Sequence, residues 1–233
     1  MSVTLLSGCG GSGDSGSDAV DDSASASAGQ TSAAASAVKP LSAAELDKAS
    51  LVKADLTGYE VSTLSKADTD AIDAVKVGGE ECRPLGRTIA GGAVGEPAAA
   101  SHRRVTGNGD SSAEALDINT AVVTLASYAS ADEAAAALKS IGEAITACAG
   151  GFEWTVADEQ LDATKVTKTA APEAGEEAVA FTVLASGAPW KAVVLRDGAT
   201  LAHFTVANTN AVVSGKDFAF PADLVTAQAD KLG

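Results

Sequence analysis

Residues 130–148 carry the clearest periodicity in the chain. Ala134, Leu138, Ile141, Ile145 and Cys148 recur at spacings of four, three, four and three. That spacing puts all five on one helical stripe and turns Cys148 toward a core. Ser130 with Glu133 is a capping box that starts the helix, and Gly150-Gly151 stops it. Downstream the period changes to two. FEWTV (152–156), LDATKVTKT (161–169), EAVAFTVLA (177–185) and WKAVVLR (190–196) read as strands. Asp197-Gly198 joins the last of them to ATLAHFTVA, and an Asp-Gly pair between alternating runs predicts a type I′ hairpin. Phe220-Pro221 opens a final helix, PADLVTAQADKL, with Leu224, Val225, Gln228 and Leu232 on one side.

The first half of the chain is patterned less strongly. Ser42 with Glu45 caps a short helix over LSAAELDKASLV, and GYEVSTL (58–64) reads as a strand with Tyr59 and Val61 on one face. The polar stretch from Lys66 to Cys82 shows no clear period. Cys82-Arg83-Pro84-Leu85 starts a helical turn, since proline is tolerated there, and residues 91–100 read as loop. SHRRVTG (101–107) and ALDINTAVVTLASY (115–128) form a hairpin around a polar loop. The sum is an α+β fold: a single, mostly antiparallel sheet of six to seven strands flanked by about three helices.

Composition separates this domain, residues 41–233, from what precedes it. Residues 10–40 are almost entirely Gly, Ser, Ala, Asp, Gln and Thr, and close at Pro40. Such a segment buries too little apolar area to offset its chain entropy, so it is expected to be a disordered tether. Just before it stands Leu6-Ser7-Gly8-Cys9, which resembles the bacterial lipobox. Residues 1–9 read as the remnant of a lipoprotein signal peptide whose basic and apolar regions lie upstream of the recorded start. On this reading Cys9 carries the lipid, and the domain sits on the outer face of the cytoplasmic membrane, in the cell envelope. The net charge of −15 argues against nucleic acid as a partner and against a polybasic grip on anionic lipid.

An exported protein with two further cysteines, Cys82 and Cys148, is expected to pair them as one disulfide. The alternatives are a metal site, for which no CxxC is present, and a Cys–His catalytic pair, which needs a free thiol. Asp68, Asp70 and Asp73 lack the glycine and glutamate of an EF-hand loop and read as a solvated acidic segment. No nucleophile elbow, phosphate loop or zinc-protease motif occurs, so neither a cofactor nor an enzymatic activity is expected. His102-Arg103-Arg104 is the basic cluster of an acidic chain. On a strand His102 and Arg104 share one face and Arg103 the other, and guanidinium forks suit carboxylate or phosphate. With Trp190 as an aromatic wall, these four are candidate anion or ligand contacts, weighed against plain surface ion pairs. His203 is expected to be a sheet residue satisfied by hydrogen bonds.

Taken together, LVKADLTGYEV, ECRPLG, ADEAAAALKSIGEAITAC followed by GGFEW, and AVVLRDGATLAHF resemble actinobacterial lipoproteins with a PknH-like extracellular sensor domain. That family takes its name from the outer domain of a mycobacterial receptor Ser/Thr kinase. The resemblance implies an antiparallel sheet flanked by helices, a cleft, and cysteines paired as disulfides. This chain has fewer cysteines than a two-disulfide pattern requires. The function expected is a cell-surface lipoprotein whose non-enzymatic domain binds an unknown small ligand or acts as a sensor. The alternatives are an accessory module that docks on an envelope membrane protein, or an envelope hydrolase.

Overall fold

The computed structural model describes residues 39–107 and 117–233. Cys9, the tether up to residue 38 and the polar loop 108–116 lie outside the described residues. Nine strands are described: β1 (Tyr59–Thr63), β2 (Lys76–Val77), β3 (Ala99–Gly107), β4 (Asn119–Ser127), β5 (Phe152–Val156), β6 (Glu159–Thr169), β7 (Glu177–Ala185), β8 (Ala188–Asp197) and β9 (Thr200–Asn208). They form one sheet in the order β1-β3-β4-β9-β8-β7-β6-β5-β2, and every neighbouring pair is antiparallel. Six α-helices accompany it: α1 (Ala43–Ala49), α2 (Lys66–Asp73), α3 (Arg83–Ile89), α4 (Ala131–Ala147), α5 (Thr209–Ser214) and α6 (Ala222–Leu232).

The α+β class and the single antiparallel sheet agree with the sequence reading; the count does not. Nine strands and six α-helices replace six to seven strands and about three helices. The additions are short or polar. Helix α2 buries only Ile72, so hydrophobic spacing does not reveal it, but Ser65 and Asp68 cap it reciprocally. Strand β2 is two residues long and is held by pairing to β5. Helix α5 starts at Asn208, whose side chain accepts from Ala211 N at 2.9 Å, and ends at Gly215 in the left-handed region.

Turn chemistry also differs from expectation. Asp197 pairs with Thr200, so the loop is Gly198-Ala199, with positive φ only at Gly198. The two-residue loops with positive φ at both positions are Ala157-Asp158 and Ser186-Gly187, the type I′ pattern. The α4 capping box is half formed: Ser130 Oγ accepts from Glu133 N, while the Glu133 carboxylate accepts from Ala129 N.

Helices cover both faces of the sheet, and the two covers overlap on β8 and β9. On one face α3 and α4 pack over β5–β9, and Leu85, Ile141, Ile145, Trp154, Phe181 and Val183 close that core. Each fully buried side chain of this size contributes about 1.5–3 kcal/mol. Cys82, just before α3, is disulfide-bonded to Cys148 at the end of α4, with Cα atoms 5.8 Å apart. The expected pairing is therefore present, and it staples α3 to α4. On the opposite face α1 and α6 cover β3, β4, β9 and part of β8, packing Leu46, Leu51, Leu224 and Val225 on Val123, Phe204 and Val206. Buried Gln228 ties α6 to the end of α1: its Oε1 accepts from Leu51 N at 3.2 Å and its Nε2 donates to Ala49 O at 2.8 Å. Beyond β8 no helix of the described residues lies above this face, and Lys165, Thr167 and Thr169 of β6 are exposed.

Candidate functional site

The four residues singled out as possible anion contacts do not converge. Arg103 is buried against α1. Its guanidinium donates to Ser101 Oγ at 3.1 Å, to the carbonyls of His102 and Asp47 at 3.0 and 3.1 Å, and to Asp47 Oδ1 at 3.3 Å. Ser101 Oγ donates to the same carboxylate at 2.6 Å, and this bond with the guanidinium holds the Asp47 carboxyl below the usual range. Arg103 thus closes a structural network. On the other face Arg104 pairs with Asp68 of α2 at 3.4 Å, both half exposed. Asp70 pairs with Lys66 and Asp73 with Arg87, so the three acids lie along one helix with separate cationic partners. Trp190 belongs to β8, with β4 and β9 between it and β3, and packs on the core under α4.

His102 and His203, the chain's two histidines, stand in one cross-strand row with Thr124 between them. His102 Nδ1 is 2.8 Å from Thr124 Oγ1, and Thr124 Oγ1 donates to Gly91 O at 2.7 Å. Because the hydroxyl proton is committed to that carbonyl, Nδ1 is the donor and Thr124 the acceptor. This pair therefore cannot work as a nucleophile and its base. Burial pushes the His102 imidazole below its ordinary value, with Asp73 partly opposing. His203 corrects the sequence reading. It is fully buried, and neither ring nitrogen has a hydrogen-bond partner among the described residues. Burial, with His102 and Arg87 nearby, pushes it down to about 3, so it is a neutral core group at neutral pH.

A concave site lies elsewhere, where α6 stops covering the sheet. A groove of about 420 Å³ has Ala180 and Thr182 of β7 and Lys191 and Val193 of β8 along its floor. The segment after β6, ending at Pro172, makes one wall and Phe220 the other. The volume falls within the range of about 300–1,000 Å³ typical of small-molecule sites. A larger furrow of about 940 Å³ runs beside α4, but it is wide open and bordered by the solvated Lys139–Glu143 pair.

Lys191 is the one cation among the residues lining the groove. Its side chain retains 17% exposure. Nζ donates to the Phe218 carbonyl, lies 2.8 Å from Asp217 Oδ1, and sits 5.0 Å from the centroid of the Phe218 ring. That contact holds the Asp217 carboxyl below its ordinary value, although the carboxylate is 78% exposed. Thr169 and Thr182 make no side-chain hydrogen bond among the described residues, so their hydroxyls are available at the same groove. Sequence reasoning missed Lys191. Its signal was alternation: Lys191, Val193 and Leu195 share one strand face, so the cation stands where an apolar residue fits the pattern.

No protein-family model and no curated protein matches the sequence. Among solved structures, the chain is similar to the crystal structure of the extracellular domain of PknH from Mycobacterium tuberculosis. The two share 12% identity with a TM-score of 0.52, over 83% of this chain and 97% of that one. At this identity the likeness is one of fold: the sheet with its flanking helices belongs to the same architecture as that extracellular domain.

Proposed function

We propose that residues 41–233 form a non-enzymatic, extracellular ligand-binding or sensor-type domain, held to the outer face of the cytoplasmic membrane by a lipid on Cys9. The observation that carries this reading is the groove beside α6: a concave, largely apolar space with one cation and two available hydroxyls converging on it. Such a combination suits a small molecule with an apolar body and a few polar groups. The fold likeness to an extracellular domain and the Cys82–Cys148 disulfide support placement in an oxidising compartment. His102 and His203 lack the partner geometry of a hydrolase, which favours binding over catalysis.

A thermal-shift screen of envelope fragments and metabolites tests the binding reading. A true ligand raises the Tm of the wild-type chain and not that of Thr182→Trp, in which an indole fills the groove. Hits that stabilise both proteins equally place the ligand outside the groove. Intact-mass analysis of natively expressed protein tests the anchor, with Cys9 expected as an acylated N-terminus.

A second reading, docking on an envelope membrane protein, is favoured by one observation. Val212 and Val213 of α5 are 52% and 88% exposed, beside a hollow of about 210 Å³ lined by Trp154 and Trp190. Membrane association that survives Cys9→Ser and disappears with Val213→Asp would support it.

A further inference from the structure

We propose that the groove beside α6 takes an amphiphile with one anionic head and an apolar body, and that the head binds by exchanging with Asp217 on Lys191. This rests on the ligand-binding reading above and adds the chemical class of the ligand.

Three observations carry the proposal. First, the position of the cation is unusual. Lys191 leaves the floor of the groove between the strand neighbours Thr182 and Val206. Most of its stem is covered, and among the described residues its head bonds to the 217–218 segment. A lysine at an apolar alternation position is a liability unless its charge is matched, because an ammonium loses much of its hydration there. Second, the match is weakly held. Asp217 precedes α6 with its carboxylate mostly in water, so losing Lys191 returns it to solvent at small cost. Third, the ammonium has three donor hydrogens, and the described residues supply two acceptors, the Phe218 carbonyl and Asp217. An incoming carboxylate or phosphate finds a free donor first and can then displace Asp217. The Thr182 hydroxyl, on the residue paired with Lys191, is placed to donate to the same head.

The rest of the groove defines the body. Ala180, Val193, Pro172 and Phe220 present hydrocarbon, and Lys191 is their one charge. A cationic head would meet the ammonium directly. A strongly polar body, such as a sugar, would leave the walls unpaired with its hydroxyls.

The test is isothermal titration of the full chain with decanoate, decyl phosphate and 1-decanol at one pH and salt concentration. Either anion is expected to bind at least about tenfold more tightly than the alcohol, since a hydrogen bond to a charged group is worth that much in affinity. Comparing the two anions distinguishes a carboxylate source from a phosphate source. Asp217→Asn removes the competing carboxylate at an exposed position, leaves the Phe218 carbonyl accepting from Lys191, and is expected to strengthen anion binding severalfold. Lys191→Met is expected to remove the preference for the anions. Equal binding of all three probes, unchanged by Asp217→Asn, overturns the anionic head and leaves the groove an apolar ligand site. Absence of binding by every probe overturns the proposed class; the screen with Thr182→Trp then decides separately whether the groove binds anything.

Discussion

The two faces of the sheet are built from similar strands yet do different work. Under α3 and α4 the cover is complete where it lies: a disulfide joins the helices, and Trp154, Phe181 and Ile141 are sealed. Under α1 and α6 the cover is equally tight over β4 and β9, where Phe204 and Val206 are fully buried, but it stops at β8. The groove opens at that boundary. The location of a cavity in this molecule therefore follows from how far a helix reaches across the sheet.

Breaking the staple on the α3/α4 face should have the largest effect. Replacing Cys82 and Cys148 together by serine removes a 66-residue loop closure and is expected to lower stability by about 4 kcal/mol in urea melts. A loss below about 1 kcal/mol would mean that packing alone holds that face. Next comes the sealed part of the opposite face. Leu224→Ala, at a fully buried position of α6, should lower stability by about 2–5 kcal/mol. If it costs no more than a groove substitution, the distinction between the sealed and open parts of that face collapses.

Acid probes the histidine row under α3. His203 is depressed from 6.5 to about 3 in the fold, so the native state holds it neutral while the unfolded chain protonates it. The stabilisation is complete above about pH 6.5 and is lost progressively as pH falls toward 3, with a limiting slope of about 1.4 kcal/mol per pH unit. His102 is shifted the same way and adds to the slope. The depressed carboxylates Asp47, Asp55 and Asp217 act lower, losing their contributions as pH falls below the ordinary carboxylate range. Urea melts between pH 6.5 and 5.5 stay above the carboxylate range and therefore report the imidazoles, and His203→Leu should flatten that limb. An unchanged limb would place the acid sensitivity elsewhere.

The smallest effect belongs to the uncovered half. Thr167→Ala, on the exposed face of β6, should change stability by less than about 0.5 kcal/mol. A substantial loss would show that something packs on that half.

Much of this architecture was legible because the driving pattern is local. Strands β5 and β7 occupy the ranges their alternation marks, and α4 buries the five residues its spacing selects. Two of the expected helices begin at their Ser caps, Ser42 and Ser130, because a cap is a short-range event between residues three apart. The failures have the opposite cause. Helix α2 is stabilised by caps and an exposed Lys66–Asp70 pair, so hydrophobic period is silent about it. The β8–β9 loop slipped by one residue because cross-strand register, set by both strands together, places Asp197 opposite Thr200. The candidate contacts dispersed for a similar reason. Alternation separates Arg103 from His102 and Arg104, and the strand order that puts β4 and β9 between β3 and β8 keeps Trp190 away from all three.

By itself the chain determined its class, the main strands, the core stripe of α4 and the two cysteines available for a crosslink, since each depends on residue type and spacing within one segment. Tertiary structure alone decided that α6 halts at β8, that the loop carrying Asp217 and Phe218 lands on Lys191, and that His203 is buried without a hydrogen-bond partner among the described residues. Those outcomes bring together groups far apart in the chain. They follow from how rigid helices fit over a twisted sheet, which no local pattern of apolar and polar residues encodes.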